Sequence, residues 1–334
     1  MTSGFKKYTL IVIGFIIIVV AITVFNANQT APQTSIDGES STKKQSPTLL
    51  ATTSTVTIAS PKDVTINSLD ELKALFDSLN YNNESWMQGN REVPRLTFES
   101  VSETWQHTSN QIPVQTKKMV FFRLMAPLIL VANENVLAER DVVKSAALDD
   151  RKLIELANKY RIKMASEQQL TEAEKQDLLA HIDIIPPSLA LAQAAEESGW
   201  ATSRFTVEGN AFFGQWDFSG NGMIPKQQRK ELGNYGLARF DTPLASVEGY
   251  VLNINRNAAY QKLRQLRAQL RQDGEPITGM QLATTLDKYS ERGQDYIDGI
   301  RSMISYNKLQ QVDEAYLSDQ QPLHLISAAS SKAK

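Results

Sequence analysis

The sequence predicts a mainly α fold that carries a small β-hairpin lobe and an N-terminal helical extension. Three observations support this prediction. Apolar residues recur at helical spacing in several segments, capping residues precede those segments, and a glycine-rich turn with short extended runs follows the most apolar helix. With 334 residues, the chain is long enough for one or two domains with a substantial core.

Composition and charge exclude several classes of function. The formal net charge is −2, without the basic excess that nucleic-acid binding usually requires. The chain has no cysteine, which excludes disulfides and zinc sites with cysteine ligands. Its histidines are far apart in the sequence, and no P-loop, dinucleotide-binding or Gly-x-Ser-x-Gly motif is present. We therefore expect neither a metal nor a cofactor.

The first 25 residues predict a membrane anchor. Lys6 and Lys7 precede an uncharged run of eighteen residues, Tyr8 to Phe25, which is just long enough to span a bilayer as a helix. The two lysines predict a single pass with the N-terminus in the cytoplasm and the rest of the chain outside it. The alternative is a cleaved signal peptide, but its apolar core would be shorter, and no small-x-small cleavage site follows Phe25.

Changes in composition divide the rest of the chain. Residues 26–59 predict a disordered linker, because thirteen of these 34 residues are Ser or Thr and none is aromatic. We expect residues 60–165 to form the N-terminal helical extension and residues 166–312 to form the main domain. Residues 313–334 are expected to be a flexible tail, because the hydrophobic pattern is lost beyond Gln310.

Capping residues and apolar spacing predict the individual helices. Ser68-Leu-Asp-Glu71 is a capping box before apolar positions at helical spacing. Residues 117–139 are apolar enough to suggest a transmembrane segment, but charged residues interrupt the run and Pro127 would kink it, so a buried helix pair is predicted. Further helices are predicted at residues 150–160, 170–181, 242–251, 280–286 and 296–306.

The run from Pro186 to Trp200 is the most informative segment. Two prolines open it, its middle is almost wholly apolar, and Gly199 supplies a helix stop. These features predict a buried helix with Glu197 in its last turn. Partial desolvation and the negative end of the helix dipole both favour the protonated form of this carboxyl group. A carboxyl that stays protonated near pH 7 is what a general acid requires.

This helix and the residues after it resemble the glucosaminidase domain of glycoside hydrolase family 73. The resemblance rests on Ala192-Gln-Ala-Ala-Glu-Glu-Ser-Gly-Trp-Ala-Thr-Ser203 and Gly209-Asn-Ala-Phe-Phe-Gly214. Upstream, residues 117–133 and 181–187 are similar to the membrane-anchored Bax proteins of Gram-negative bacteria, so that the resemblance covers roughly residues 60–310. It implies a lysozyme-like fold that acts on bacterial peptidoglycan, with an anchor in the inner membrane and a periplasmic catalytic domain.

The resemblance also implies roles for single residues. Glu197 matches the family's general acid, and Tyr289 matches a tyrosine that helps to hold the N-acetyl group near that acid. The second carboxylate is less well defined. Glu231 is the candidate, Asp217 and Glu208 are its rivals, and the acetamido group of the substrate is a further alternative.

Aromatic and polar residues that flank the acid are candidates for substrate binding, since aromatic faces pack on sugar rings. These candidates are Trp200, Asn210, Phe213, Gln215 and Trp216. Trp200 and Phe213 are also expected to pack in the core, whereas Trp216 is expected in the cleft. Tyr296 matches a second tyrosine of the family, and we assign it to packing.

Together these features predict an endo-acting β-N-acetylglucosaminidase that cleaves peptidoglycan glycan strands after N-acetylglucosamine. A lytic transglycosylase is an alternative, although the Gly-x-x-Gly-Leu-Met-Gln segment typical of those enzymes is replaced here by residues 209–216. A catalytically silent wall-binding or scaffold protein is a third alternative, because the loop after Trp216 departs from the family pattern. The sequence leaves open whether residues 60–150 shield the cleft, extend it or bind a partner.

Overall fold

The computed structural model describes residues 59–217, 219–225 and 236–327. The expected anchor, almost all of the expected linker and the candidate Glu231 lie outside the described residues. The described part is mainly α with small sheets. This confirms the predicted fold class and agrees with a lysozyme-like fold that carries a small β lobe.

The described part contains twelve helices and seven short strands. The helices are α1 (Leu69–Ser78), α2 (Asn83–Met87), α3 (Trp105–Thr108), α4 (Val114–Ser145), α5 (Arg151–Lys159), α6 (Glu172–His181), α7 (Pro187–Ser198), α8 (Arg204–Gly209), α9 (Pro243–Arg256), α10 (Gln261–Gln272), α11 (Gly279–Leu282) and α12 (Gln294–Tyr306). The strands are β1 (Lys62–Ile66), β2 (Glu92–Val93), β3 (Leu96–Phe98), β4 (Trp216–Asp217), β5 (Gly236–Leu237), β6 (Tyr316–Leu317) and β7 (Leu323–Ser327).

Local capping signals set several helix boundaries, as predicted. The Ser68 hydroxyl accepts the Glu71 amide at 3.1 Å and opens α1, and the Thr242 hydroxyl accepts the Ala245 amide at 3.1 Å and opens α9. Gly199 ends α7 in the left-handed region with φ 57°, where glycine has no Cβ to clash.

The helix α4 is one continuous helix of 32 residues, so the prediction of a helix pair is wrong. Pro127 lies inside it and is buried; packing on this face keeps the helix continuous across the hydrogen bond that proline cannot donate. Within the described part, α4 is the only helix long and apolar enough to cross a membrane, and 61% of its most apolar window is buried inside the protein.

The two ends of the described chain meet in one sheet. The strands β1 and β3 both pair in parallel with β7, which lies between them. Residues 316–327 therefore do not belong to a flexible tail, and residues 60–165 contain strands as well as helices. Both expectations fail for the same reason: Lys62 pairs with Leu323, and a partner so distant in sequence leaves no local pattern.

The helix α7 occupies the centre of the fold. It packs against α4, α11, α12 and a 3-10 segment at Leu309–Glu314. One hydrophobic cluster extends around it from Leu72 in α1 to Leu325 in β7. The N-terminal region and the main domain thus share a single core.

Polar groups from distant elements hold the start of α7. Pro186 has no side chain that can cap the helix, and Asp313 takes that role: its carboxylate accepts the Ser188 amide at 2.8 Å and the Ser188 hydroxyl at 2.7 Å. The Asn133 side chain on α4 exchanges hydrogen bonds with the Ile185 backbone, at 2.8 Å to its oxygen and 3.0 Å from its nitrogen. Such bonds satisfy the unpaired backbone groups of a buried helix terminus.

The place of β7 in the core predicts a stability difference between two substitutions. Leu325 is 5% exposed and Tyr316 is 57% exposed. Leu325→Ala is expected to lower the free energy of unfolding by about 2–5 kcal/mol, and Tyr316→Ala by less than about 1 kcal/mol. Denaturant melts measure both. If both substitutions lowered the free energy of unfolding by equally small amounts, β7 would not pack in the core, and the expectation of a flexible tail would stand.

Candidate active site

The carboxyl group of Glu197 lies in the last turn of the buried helix α7 and is half-buried. Burial raises its pKa to about 7, because desolvation disfavours the carboxylate. The hydrogen bond from Tyr296 opposes this rise, the charge of Glu196 adds to it, and the charge of Arg292 opposes it. The side chain is therefore poised to give up a proton near neutral pH.

A chain of buried hydrogen bonds ends on Glu197. The Tyr296 hydroxyl donates to Glu197 Oε1 at 2.9 Å. Gln193 Nε2 donates to the Tyr296 oxygen at 3.1 Å, and the Tyr250 hydroxyl donates to Gln193 Oε1 at 2.7 Å. Each donor points toward the carboxyl group, so the bonds polarise one another in the direction that stabilises a negative charge on Glu197.

The tyrosine bonded to Glu197 is Tyr296, so its assignment to packing alone is wrong. It lies in the first turn of α12, on the face that packs against α7. Tyr289 stacks on its ring, with centroids 5.4 Å apart and planes 12° apart, and donates to the Phe213 oxygen at 3.4 Å. The helical spacing of Tyr296 with the buried Ile300 is the sequence signal that could have placed it against α7.

Two of the aromatic candidates pack into the protein. Phe213 is 3% exposed and stacks on Tyr250 with centroids 4.0 Å apart, which places it behind the hydrogen-bond chain. Trp200 is half-buried and meets Phe121 and Phe122 of α4 edge-on, at 5.5 and 5.2 Å between centroids. Both residues support the site by packing, as the sequence analysis also expected of them.

The other candidates build the small β lobe. Asn210 ends α8 with φ 50°, and its Nδ2 donates to the Phe240 and Asp241 oxygens at 3.1 and 3.3 Å. The Gln215 backbone oxygen accepts the Ala238 amide at 2.8 Å. Trp216 is half-buried in β4, which pairs antiparallel with β5.

Two buried side-chain oxygens in this lobe, Asn210 Oδ1 and Gln215 Oε1, have no hydrogen-bond partner among the described residues. A buried acceptor without a donor is costly, and both oxygens lie inside the lobe rather than on its surface.

The rivals for the second carboxylate have different surroundings. The Asp217 carboxylate accepts the Ser219 hydroxyl at 2.9 Å and the Ser219 amide at 2.7 Å, and these bonds hold its pKa below the ordinary value. Glu208 is exposed and forms an ion pair with Arg204 at 2.9 Å. Asp217 is thus an ionised carboxylate within the β lobe, whereas Glu208 is an exposed carboxylate that is paired with Arg204.

The neighbouring Glu196 lies about 100° around the helix from Glu197, and its charge adds to the rise in the pKa of Glu197. It pairs with Arg292 at 3.0 Å, and the guanidinium of Arg292 lies 5.2 Å from the centre of the Tyr296 ring. This pair covers one side of the site. Within the described part of the chain, no group of three or more histidine or carboxylate side chains could hold a metal ion.

Comparisons with known proteins place this hydrogen-bond chain within a family match. The family model for mannosyl-glycoprotein endo-beta-N-acetylglucosaminidase matches residues 173–309, a range that holds the whole hydrogen-bond chain. Residues 173–309 are thus similar to a glucosaminidase domain. It is also 29% identical over 199 residues to "Protein bax" of Escherichia coli strain K12, across 58% of this chain and 70% of that protein. No solved structure matches the chain.

The expected resemblance to Bax-like glucosaminidase-domain proteins is thereby confirmed. The domain begins at residue 173, just after the start of α6. The five preceding helices and the strands β1–β3 lie outside it, although they share its core.

Proposed function

We propose that this glucosaminidase-domain protein is a peptidoglycan hydrolase that cleaves the glycosidic bond after N-acetylglucosamine. The observation that carries the proposal is the Glu197 carboxyl group, with its pKa raised to about 7 by burial and its Oε1 bonded to Tyr296. A carboxylic acid protonated near neutral pH, inside a domain of this family, fits the general acid of a glycosidase.

In this proposal, the proton of Glu197 passes to the glycosidic oxygen as the bond from that oxygen to the anomeric carbon breaks. The leaving sugar departs as an alcohol, and Glu197 is left as a carboxylate. A water molecule completes the hydrolysis by bonding to the anomeric carbon and losing a proton to a carboxylate. The Tyr296 hydroxyl then stabilises the new charge, because it already donates to Oε1 and is itself polarised through Gln193 and Tyr250. Fixed donors of this kind require no reorganisation during the reaction.

The second group of the reaction has three candidates. Glu231 remains the candidate from the sequence, and Asp217 is its rival, since an ionised carboxylate suits a base or nucleophile. The acetamido group of the substrate remains the third alternative. Tyr289, Trp216, Asn210 and Gln215 are proposed to contact the N-acetyl group and the sugars.

We further propose that Tyr8 to Phe25 anchors the protein in the inner membrane and that the catalytic domain lies in the periplasm. The uncharged run and the preceding lysines support this topology. The Ser/Thr-rich residues 26–59 would then allow the domain to reach glycan strands above the membrane.

Product mapping tests the reaction and its acid. Purified peptidoglycan is digested, and the new ends are reduced before mass spectrometry. The wild type is expected to give reduced N-acetylglucosamine ends, and Glu197→Gln is expected to slow their release by about 10²–10⁴-fold through loss of the general acid. Glu155→Gln is the matched control, because this exposed carboxylate on α5 pairs with Arg151 at 2.8 Å and is not among the groups that shift the pKa of Glu197.

Other products would contradict the proposal. Reduced N-acetylmuramic acid ends would show a different bond specificity, and anhydro sugars would show a lytic transglycosylase. Binding without cleavage, unchanged in Glu197→Gln, would indicate a silent wall-binding protein.

The pH dependence of kcat/KM tests the role of Tyr296. The reaction needs protonated Glu197, so kcat/KM is expected to fall as the pH rises through about 7. The Tyr296 hydrogen bond favours the carboxylate and lowers this pKa. Tyr296→Phe removes the donor, so the fall should move to higher pH while the plateau drops roughly tenfold or more. An unchanged profile would show that Tyr296 does not act on the acid.

A further inference from the structure

The loop that ends the Glu197 helix has an unusual backbone. Gly199, Trp200 and Ala201 all have positive φ, at 57°, 62° and 62°. Residues other than glycine rarely adopt this left-handed region, and each such residue is strained. Strain of this kind persists only where the surrounding structure holds it in place. The loop begins two residues after Glu197, so the contacts that hold the loop in place also act on the end of α7.

Two side chains from outside the glucosaminidase domain hold this loop. Trp105 Nε1 donates to the Trp200 oxygen at 3.1 Å, and Gln106 Nε2 donates to the Thr202 oxygen at 2.9 Å. Both donors lie on the short helix α3, well before residue 173, where the family match begins. The N-terminal region therefore reaches the loop directly.

The loop is also bonded to the last turn of α7. The Ser198 hydroxyl accepts the Ala201 amide at 2.9 Å and donates to the Ala194 oxygen at 2.6 Å. A change in the loop would pull on Ser198, the residue next to Glu197. The positions of the loop and of the carboxyl group are thus coupled through covalent and hydrogen bonds.

Packing alone does not fix Trp105. A cavity of about 440 Å³ borders its side chain and also touches Phe121, Ala201 and Phe212. A side chain beside a cavity lacks contacts on that side, so its hydrogen bond to the Trp200 oxygen determines where the indole sits.

We propose that Trp105 and Gln106 are positioning residues for catalysis. By holding residues 199–201 in the left-handed conformation, they fix the end of α7 and keep Glu197 in contact with Tyr296. The catalytic part of this inference rests on the proposed function of Glu197. It gives the N-terminal region a specific role: this region completes the active site of the domain that follows it.

The test uses the full-length chain with Trp105→Phe, which keeps the ring and removes the N–H donor, and Gln106→Ala, which removes the second donor. Trp86→Phe is the matched control, because its indole N–H donates to Gln311 Oε1 at 2.9 Å at an exposed position. Hydrogen exchange of residues 199–203 and the pH profile of kcat/KM are measured for each.

Loss of either donor is expected to speed amide exchange in residues 199–203 by roughly three- to tenfold, the range for one hydrogen bond. Because Glu197 would become better solvated, its pKa should fall, and the drop in kcat/KM should move to lower pH. A residue that only stabilised the fold would leave this profile in place. Trp86→Phe should change neither readout.

Unchanged exchange in both variants would overturn the proposal, and so would faster exchange with an unchanged pH profile. Gln106→Ala keeps the test decisive if Trp105→Phe fails to fold. Failure of the proposed function has a different signature, since Glu197→Gln would then be as active as the wild type. If Trp105 and Gln106 do not position the loop, Glu197→Gln would still be inactive, and the Trp105→Phe and Gln106→Ala variants would behave like the wild type.

Discussion

Burial of the helix α7 is the constraint on which both the fold and the site depend. Helices α4, α11 and α12 pack around it, and the Asp313 carboxylate caps its start. Because so little of the helix meets solvent, the carboxyl group at its end is desolvated. The packing that stabilises the core is therefore also what raises the pKa of Glu197.

The hydrogen-bond chain balances this burial. Desolvation alone would hold Glu197 in its protonated form, which can begin the reaction but does not favour release of the proton. The Tyr296 hydroxyl, backed by Gln193 and Tyr250, favours the carboxylate. Together these two effects leave the pKa of Glu197 at about 7. At neutral pH the group can therefore both hold and release a proton, as the proposed general acid must.

Sequence reasoning was reliable where the determinant is local. The limits of α7 follow from Pro187 and Gly199, and the start of α9 follows from Thr242, because a cap acts on its own turn. The sequence motif also proposes Glu197 as the acid, and that role stays a prediction.

Prediction from the sequence failed for contacts between segments that are distant in the chain. The strand β7 is ordered by pairing with β1, and the loop after α7 is held by Trp105. Tyr296 becomes a partner of Glu197 only when α12 packs on α7. The first two of these contacts leave no periodic signal in the chain, and the helical spacing of Tyr296 and Ile300 indicates the buried face of α12 but not its partner on α7.

The most direct test is a carbon-13 NMR titration of the Glu197 carboxyl group, with Glu197→Gln used to assign its signal. The account predicts a midpoint near pH 7, because the folded protein disfavours the carboxylate. A midpoint near 4.5, the ordinary value, would show that Glu197 is solvated and ionised at neutral pH. That result would contradict its role as the general acid.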